Sequence, residues 1–516
     1  MSPDDRRPWW QRRAVLAAIL IASILPLLWP PLPPLTDLPG HVARWHIATA
    51  DAGSPLLRYY DTRWAVIGNL GADLLAIPLA KLLGPVGAGK AIMLLIVLVT
   101  SAAMLWLARE THGRIPPTAL LALPFVYGWP FQMGFANFML AQGLAFAALA
   151  LWLRLGRGER LTLRAGVFAP IALLLWIAHS AGWGLFGLMA FGAELARLRT
   201  AGRRWPGAIG GSVLACLPLA VPVILMIANA PPPGARAGET GDWFNILAKF
   251  LWVISSLRDR WAWFDIVSMA LLLVVLYMGA RDKRLGYEAR LGWPALFVLG
   301  AFLLLPRLML GGAYVDMRMM PAVWILALLA IRPSCDRRFG QRLAIAALLF
   351  IGIRTAATMT SFVLRTVEQR AELKAVASIP RGAAVLALVY KPCLTPWSDI
   401  RPEHLPAYAT ISRDAFTNEQ WAIDGQQYLH IRHVAARPFD ADPSQLVYPA
   451  GCEQQGHSLS DALTRFPRAA FSHVWIIGNR LHWPRHYGLV PVWTNGRSGL
   501  YEVIGAAARR RVKRRP

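Results

Sequence analysis

The chain has 516 residues, 56% of them apolar and only 16% charged, with 22 Trp and a formal net charge of +25. A soluble globular protein carries nearer a quarter charged residues, so an ordinary soluble fold is excluded. Much of the Arg stands in short loops between apolar runs, where it reports orientation across a membrane, and nucleic acid is excluded as a partner.

Arg6, Arg7, Arg12 and Arg13 precede an apolar run from Ala14 to Leu32. That run is too long and uninterrupted for a cleaved signal peptide, and no small-residue cleavage site follows it. A retained signal anchor with a cytoplasmic N-terminus is expected. The string WPPLPPL then stops the helix and carries the chain outward. From Pro33 to Tyr60 charge appears for the first time outside an apolar segment. Asp37, His41 and Arg44 fall at i, i+4 and i+7, so a helix starting near Leu38 puts all three on one face. One reading makes them a site at the membrane surface. In the other, Asp37 is only the N-cap, Pro39 sits in the first turn, and Arg44 and His46 lie among lipid headgroups.

Asn69 to Leu83 carries Asp73, Lys81 and Pro78, and is either a short span or a segment that dips in and returns. Apolar runs at Ala91–Ala108, Pro117–Phe131, Gly134–Leu153, Gly166–Ala178, Ala181–Leu195, Gly207–Ala228, Phe264–Ala280, Leu291–Leu305, Met317–Ile331 and Arg342–Leu364 approach the ~20 residues that cross a bilayer. The basic loops 154–164, 197–205, 280–290 and 332–342 should be cytoplasmic. Two topologies each give about eleven crossings. In one, the Asn69 segment dips and the region around His179 is two short spans, so every basic loop falls inside. In the other, the Asn69 segment crosses and the His179 region is one helix, so loops 109–114 and 154–164 violate the rule. Both put residues 365–516 outside, with the outer loops 33–66, 229–263 and 311–318.

The expected fold is therefore mostly α: a polytopic helical membrane protein with a transmembrane domain, 1–364, and a small extracytoplasmic α/β domain, 365–516. In that domain 383–390, 472–478 and 488–505 read as strands, the last a hairpin turning at Asn495-Gly496. Helices are expected around 365–377, 412–423 and 458–465, and the tail ARRRVKRRP reads as a basic end able to touch anionic lipid. Cys393 and Cys452 both fall there and are expected to form a disulfide. Cys216 lies in a span and Cys335 in an Arg-rich loop.

Charges beside or within spans are costly, so they tend to be paired or functional. His179 interrupts LLLWIAHSAGWGLFGL, which suits a helix break with its polar side toward a cavity; the plainer reading is a histidine bonded between packed helices. Asp316 and Arg318 begin a span directly after GGAY. Arg318 suits a lipid phosphate, unless it only pairs with Asp316 or snorkels. The loop 229–263 should contain an amphipathic surface helix. No Walker A, GxSxG or HExxH motif is present.

A first span, an outer loop with an acidic residue (Asp37 in TDLPGH), a short apolar segment after the polar turn Val66-Ile67-Gly68-Asn69, many further spans and an outer α/β domain resemble the C-type membrane glycosyltransferases. That superfamily includes aminoarabinose transferases and protein mannosyltransferases. The resemblance implies an inverting enzyme that moves a hexosyl or pentosyl group from a polyprenyl-phosphate-linked donor to a lipid or glycan acceptor at the outer face of a bacterial-type inner membrane. It implies that Asp37 is the base or holds a divalent metal; the family's commoner pair of neighbouring acidic residues is absent here. His41 stands as the alternative base, with Arg44, His179, Asp316 and Arg318 as substrate-binding residues. The other reading is a non-catalytic lipid or glycan transporter, or an envelope assembly partner.

Overall fold

A computed structural model describes residues 8–157, 160–228, 238–332, 336–452, 456–482 and 484–504. Arg6, Arg7, Cys335, the start of the 229–263 loop and the basic tail lie outside the described residues. The protein is mostly helical, with one small sheet-containing region, and divides into two compact units. The first gathers the chain up to Trp29, Val66–Leu74 and Ile92–Ser361; the second gathers Pro30–Ala65, Leu75–Ala91 and the chain from Phe362 on.

Among the described residues six helices are long and apolar enough to cross a membrane: Gly71–His112, Ala136–Arg157, Leu161–Ala178, Trp205–Ala228, Ala262–Arg281 and Arg337–Ser378, with Arg13–Leu28 and Ala289–Leu304 shorter but also apolar. Most of the apolar stretch of Ala136–Arg157 is buried inside the protein, whereas that of Trp205–Ala228 is mostly exposed. Leu214, Ile224 and Ile227 on the latter are about two-thirds or more exposed, a state that lipid tolerates and water does not. The helix Ile246–Ile254 has its apolar Ile246, Leu247 and Phe250 exposed and its Lys249 buried, the inverse of a helix on a soluble protein and consistent with a membrane surface.

Contacts within the first unit show which loops share an end of the bundle. At one end, Arg157 pairs with Glu110, His112 Nε2 donates to the Leu329 carbonyl (2.8 Å), and Arg290 donates to the Thr111 carbonyl (2.7 Å). The Arg332 amide donates to the Gly286 carbonyl (2.7 Å). Loops 109–114, 154–164 and 280–290 and the start of 332–342 thus share one end of the bundle. At the opposite end the Leu70 amide donates to Ile177 and the Ser180 amide to Gly68, both 2.8 Å. His179 is extended there (φ −168°, ψ 129°) between Leu161–Ala178 and Ser180–Thr200, so the region is two helices rather than one.

Gly71–His112 therefore starts at the His179 end and finishes at the basic end. Its Gly84, at φ 72° and ψ 163°, occupies a region open essentially to glycine. The limb before it rises only ~20 Å, short of the ~30 Å hydrocarbon core. The limb after Gly84 is by itself long enough to make the crossing. Pro117–Phe131, expected as one span, is instead three short buried pieces: Pro117–Leu120, Leu123–Tyr127 and Trp129–Gln132. Pro117, Pro124 and Pro130 each lack the amide a continuous helix needs.

In the second unit a strand β1 (Tyr60–Thr62) pairs antiparallel with β4 (Leu429–Ile431). The main sheet runs β6 (His457–Ser458), β5 (Leu446–Tyr448), β2 (Ala384–Tyr390), β7 (His473–Ile477), β9 (Gly499–Val503), β8 (Leu489–Thr494), with β3 (Phe416–Thr417) also beside β2. Central β2 is parallel to β3, β5 and β7, and its unbroken apolar run AVLALVY suits a strand buried on both faces. Leu386 and Leu388 face one core with Val474 and Ile476; Val385 and Val389 face the other with Trp475 and Ile477. Cys393 and Cys452 are joined as expected, with Cα atoms 5.9 Å apart. The helix expected over 412–423 is not formed. The helix Ala407–Arg413 ends before it, and Asn418 Oδ1 instead accepts the Ala387 amide of β2 (2.8 Å), so these polar residues bond across the sheet.

With Cys216 and Cys335 replaced, single cysteines at Arg114 and Arg203 should react with a membrane-impermeant thiol reagent from one side of sealed vesicles, and a cysteine at Thr240 from the other. Labelling of Arg114→Cys and Arg203→Cys from opposite sides would contradict the shared basic end.

Candidate functional site

Leu38–Ala48 forms the helix read from the Asp37/His41/Arg44 spacing, with Asp37 at its N-cap position. Asp37 does not cap, since its side chain takes no hydrogen bond from the first-turn amides. Its Oδ1 lies 3.8 Å from His404 Nε2. The same nitrogen lies 3.9 Å from Asp442 Oδ1, and His404 Nδ1 donates to Glu419 Oε2 at 2.8 Å. One imidazole thus stands among three carboxylates. Glu419 is fully buried and also accepts from Gln420 (2.7 Å) and Thr417 (3.3 Å), so it is a fixed anchor. Asp37 and Asp442 keep 17% and 23% of their side chains exposed and form the open side of the cluster.

Burial opposes a charge on His404, but the Glu419 hydrogen bond and the charges of Asp37, Glu419 and Asp442 outweigh it and push its pKa up to about 9. Burial holds the Asp442 carboxyl above the ordinary carboxylate range, against the pull of His404. At neutral pH the ring is an imidazolium. A ring with both nitrogens protonated is no metal ligand, and among the described residues no group of three or more His, Cys, Asp or Glu is arranged to hold a metal.

Backbone closeness locks the cluster to the helix. A Cβ on Gly40 would come within 2.9 Å of Trp421 and 3.1 Å of both Glu419 Oε2 and His404 Nδ1, so only glycine lets the helix approach. Gln420 donates to the Gly40 carbonyl (3.1 Å) and Arg401 to that of Pro34 (3.0 Å).

Arg44 is 1% exposed, so it does not lie among headgroups. Its guanidinium sits 5.7 Å from the Trp421 ring centre and 5.5 Å from that of Tyr428, and donates to Gln427 Oε1 (2.6 Å) and His41 Nδ1 (2.8 Å). Since Nδ1 accepts, the proton of a neutral His41 is on Nε2. That makes His41 a donor at Nε2 rather than the alternative base. His46, the other residue read toward headgroups, bonds Asp414 (2.8 Å).

The remaining sequence candidates belong to the first unit. Arg318 Nη1 lies 3.0 Å from His179 Nε2 and Nη2 donates to the Ala313 carbonyl (3.1 Å); its guanidinium is 4.1 Å from the Phe135 ring centre. Asp316 pairs not with Arg318 but with Lys249 (3.1 Å), which also donates to the Phe302 and Leu305 carbonyls. Close by in sequence to the Gly68 turn, Asp73 is fully buried and accepts from Asn137 (2.8 Å).

His404, Glu419, Trp421 and Asp442 went unrecognised in the sequence. The usable signal was TNEQW, a polar run with no apolar period of either helix or strand, and the proline-bracketed histidine of PEHLP.

No protein-family model matches the chain, and no curated protein matches it in sequence. The chain is similar in structure to ArnT from Cupriavidus metallidurans in the apo state, with 14% identity, a TM-score of 0.49, and coverage of 95% of this chain and 97% of that one. It is similar likewise to ArnT from the same organism bound to undecaprenyl phosphate, with 13% identity, a TM-score of 0.48 and the same coverage.

The folded pKa of His404 stands above the ~6.5 of an unperturbed histidine. Its contribution to stability is therefore full below about pH 6.5 and is lost as pH rises through about 9. That loss, up to ~3 kcal/mol, should appear as a fall in Tm of the detergent-solubilised protein between pH 6.5 and 9.5. His404→Gln should flatten the profile over that range; an unchanged slope would count against the cluster.

Proposed function

We propose that this chain is an integral membrane glycosyltransferase that moves a sugar from a polyprenyl-phosphate-linked donor to a lipid or glycan acceptor at the outer face of the membrane. The observation that carries the reading is Asp37. It holds the N-cap position without capping, and its partly exposed carboxylate stands beside a buried imidazolium fixed by Glu419.

The positive-inside rule puts the basic end of the bundle in the cytoplasm, and with it the N-terminus. The His179 and Arg318 end then faces outward, where the phosphate of a membrane-anchored donor resides.

Asp37 takes the proton of an acceptor hydroxyl as its oxygen bonds to the sugar's anomeric carbon. The bond from that carbon to the phosphate oxygen breaks, and polyprenyl phosphate leaves with the electron pair. One displacement inverts the anomeric centre. Arg44, in the same unit as Asp37, is a cation suited to the departing phosphate, because a guanidinium donates two parallel bonds to oxyanions. Trp421 presents an aromatic face of the kind that packs on a sugar ring. His404 is a positioning residue: it orients Asp37 and balances its charge.

Asp37→Asn separates catalysis from architecture. Asn preserves size and would cap as well as Asp, yet it accepts no proton. Loss of transfer by ~10²- to 10⁴-fold is expected, measured as build-up of polyprenyl-linked sugar by mass spectrometry in a deletion strain complemented at matched expression. Full activity of the variant would end the catalytic assignment.

A further inference from the structure

The basic loops do more than mark orientation, because two of them, 280–290 and 332–342, line one cavity together with the 109–114 loop. A space of about 450 Å³ at the basic end of the first unit is lined by His112, Arg114, Lys283, Arg284, Arg290 and Arg332, with Glu288 the carboxylate in its wall. Its walls are tied together. The His112 and Arg290 bonds to Leu329 and Thr111 join two helix ends to the 280–290 loop, and the Arg332 amide bonds Gly286.

Charge in the cavity is unbalanced. Glu288 is matched by Arg290 (2.9 Å) and Arg284 by Asp282 (2.7 Å). Lys283 and Arg332 have no carboxylate partner among the described residues, and both are exposed. Several cations lining one cavity, with a single carboxylate among its lining residues and at the level where spans end, suit a multivalent oxyanion better than an apolar ligand.

We propose that this cavity binds a phosphate group, carried either by an anionic phospholipid headgroup or by a soluble phosphate compound. It is assigned without reference to the sugar-transfer reading.

The test uses the full-length protein in nanodiscs of phosphatidylcholine, with phosphatidylglycerol titrated in and retained lipid counted by native mass spectrometry. The wild type should retain phosphatidylglycerol over phosphatidylcholine, and the Lys283→Gln/Arg332→Gln double variant should bind it about 30-fold more weakly, about 5-fold per cation removed. Arg199→Gln/Arg203→Gln, in a basic loop outside the cavity, should bind as the wild type does. Displacement by millimolar inorganic phosphate would identify a soluble phosphate as a ligand; retention in its presence would identify the headgroup. Equal loss in both double variants would mean diffuse surface charge and overturn the proposal, as would absence of any preference for the anionic lipid.

Discussion

Removing a charge from water costs several kcal/mol per ion unless a partner and good geometry offset it, and both units of this protein are arranged around that constraint. In the helical unit, Asp265 meets Arg354 at 2.6 Å, Glu194 meets Arg164 at 3.0 Å, and Asp316 meets Lys249. In the sheet-containing unit Lys391 stands 2.6 Å from both Asp399 and Glu403, and the two anions raise its pKa against burial. Removing one partner of such a pair leaves a buried charge and typically costs ~3–5 kcal/mol.

The His404 cluster obeys the same rule with a difference. Three carboxylates surround one cation, so a single imidazolium does not neutralise them, and the surplus negative charge falls on the two members that reach solvent. Glu419, fully bonded and buried, fixes the ring; Asp37 and Asp442 are the members that keep part of their side chains exposed. Electrostatic surplus at an opening is how a site differs from a structural ion pair. The Arg44 guanidinium lies between Trp421 and Tyr428 and donates to Gln427 and His41.

Topology in the helical unit follows from a few bonds. The Gly68 turn and His179 meet at one end, and the basic loops meet at the other. Between them proline makes the non-ideal crossings possible. Residues 117–132 pass as three short pieces, and Trp205–Ala228 carries a 3-10 segment at Leu217–Ala220 beside Pro218 and Pro222. Backbone groups freed by such breaks are tolerated at membrane depth where protein surrounds them, and the residues of the 117–132 pieces are nearly all buried.

The sequence by itself determined what depends on local pattern. Apolar run length marked most of the spans, the break at His179 was legible from one polar residue in an apolar string, and the unbroken apolar run of β2 and the Asn495-Gly496 turn marked the sheet. Spacing along one helix also put Asp37, His41 and Arg44 together. Tertiary structure decided everything that depends on distance between segments. It showed that Lys249 rather than Arg318 answers Asp316 across 67 positions. It brought His404, Glu419 and Asp442 to Asp37 from more than 360 residues away. Periodicity reports which face a residue shares with its near neighbours, whereas the partner of a buried charge is chosen by packing, and packing leaves no period in the chain.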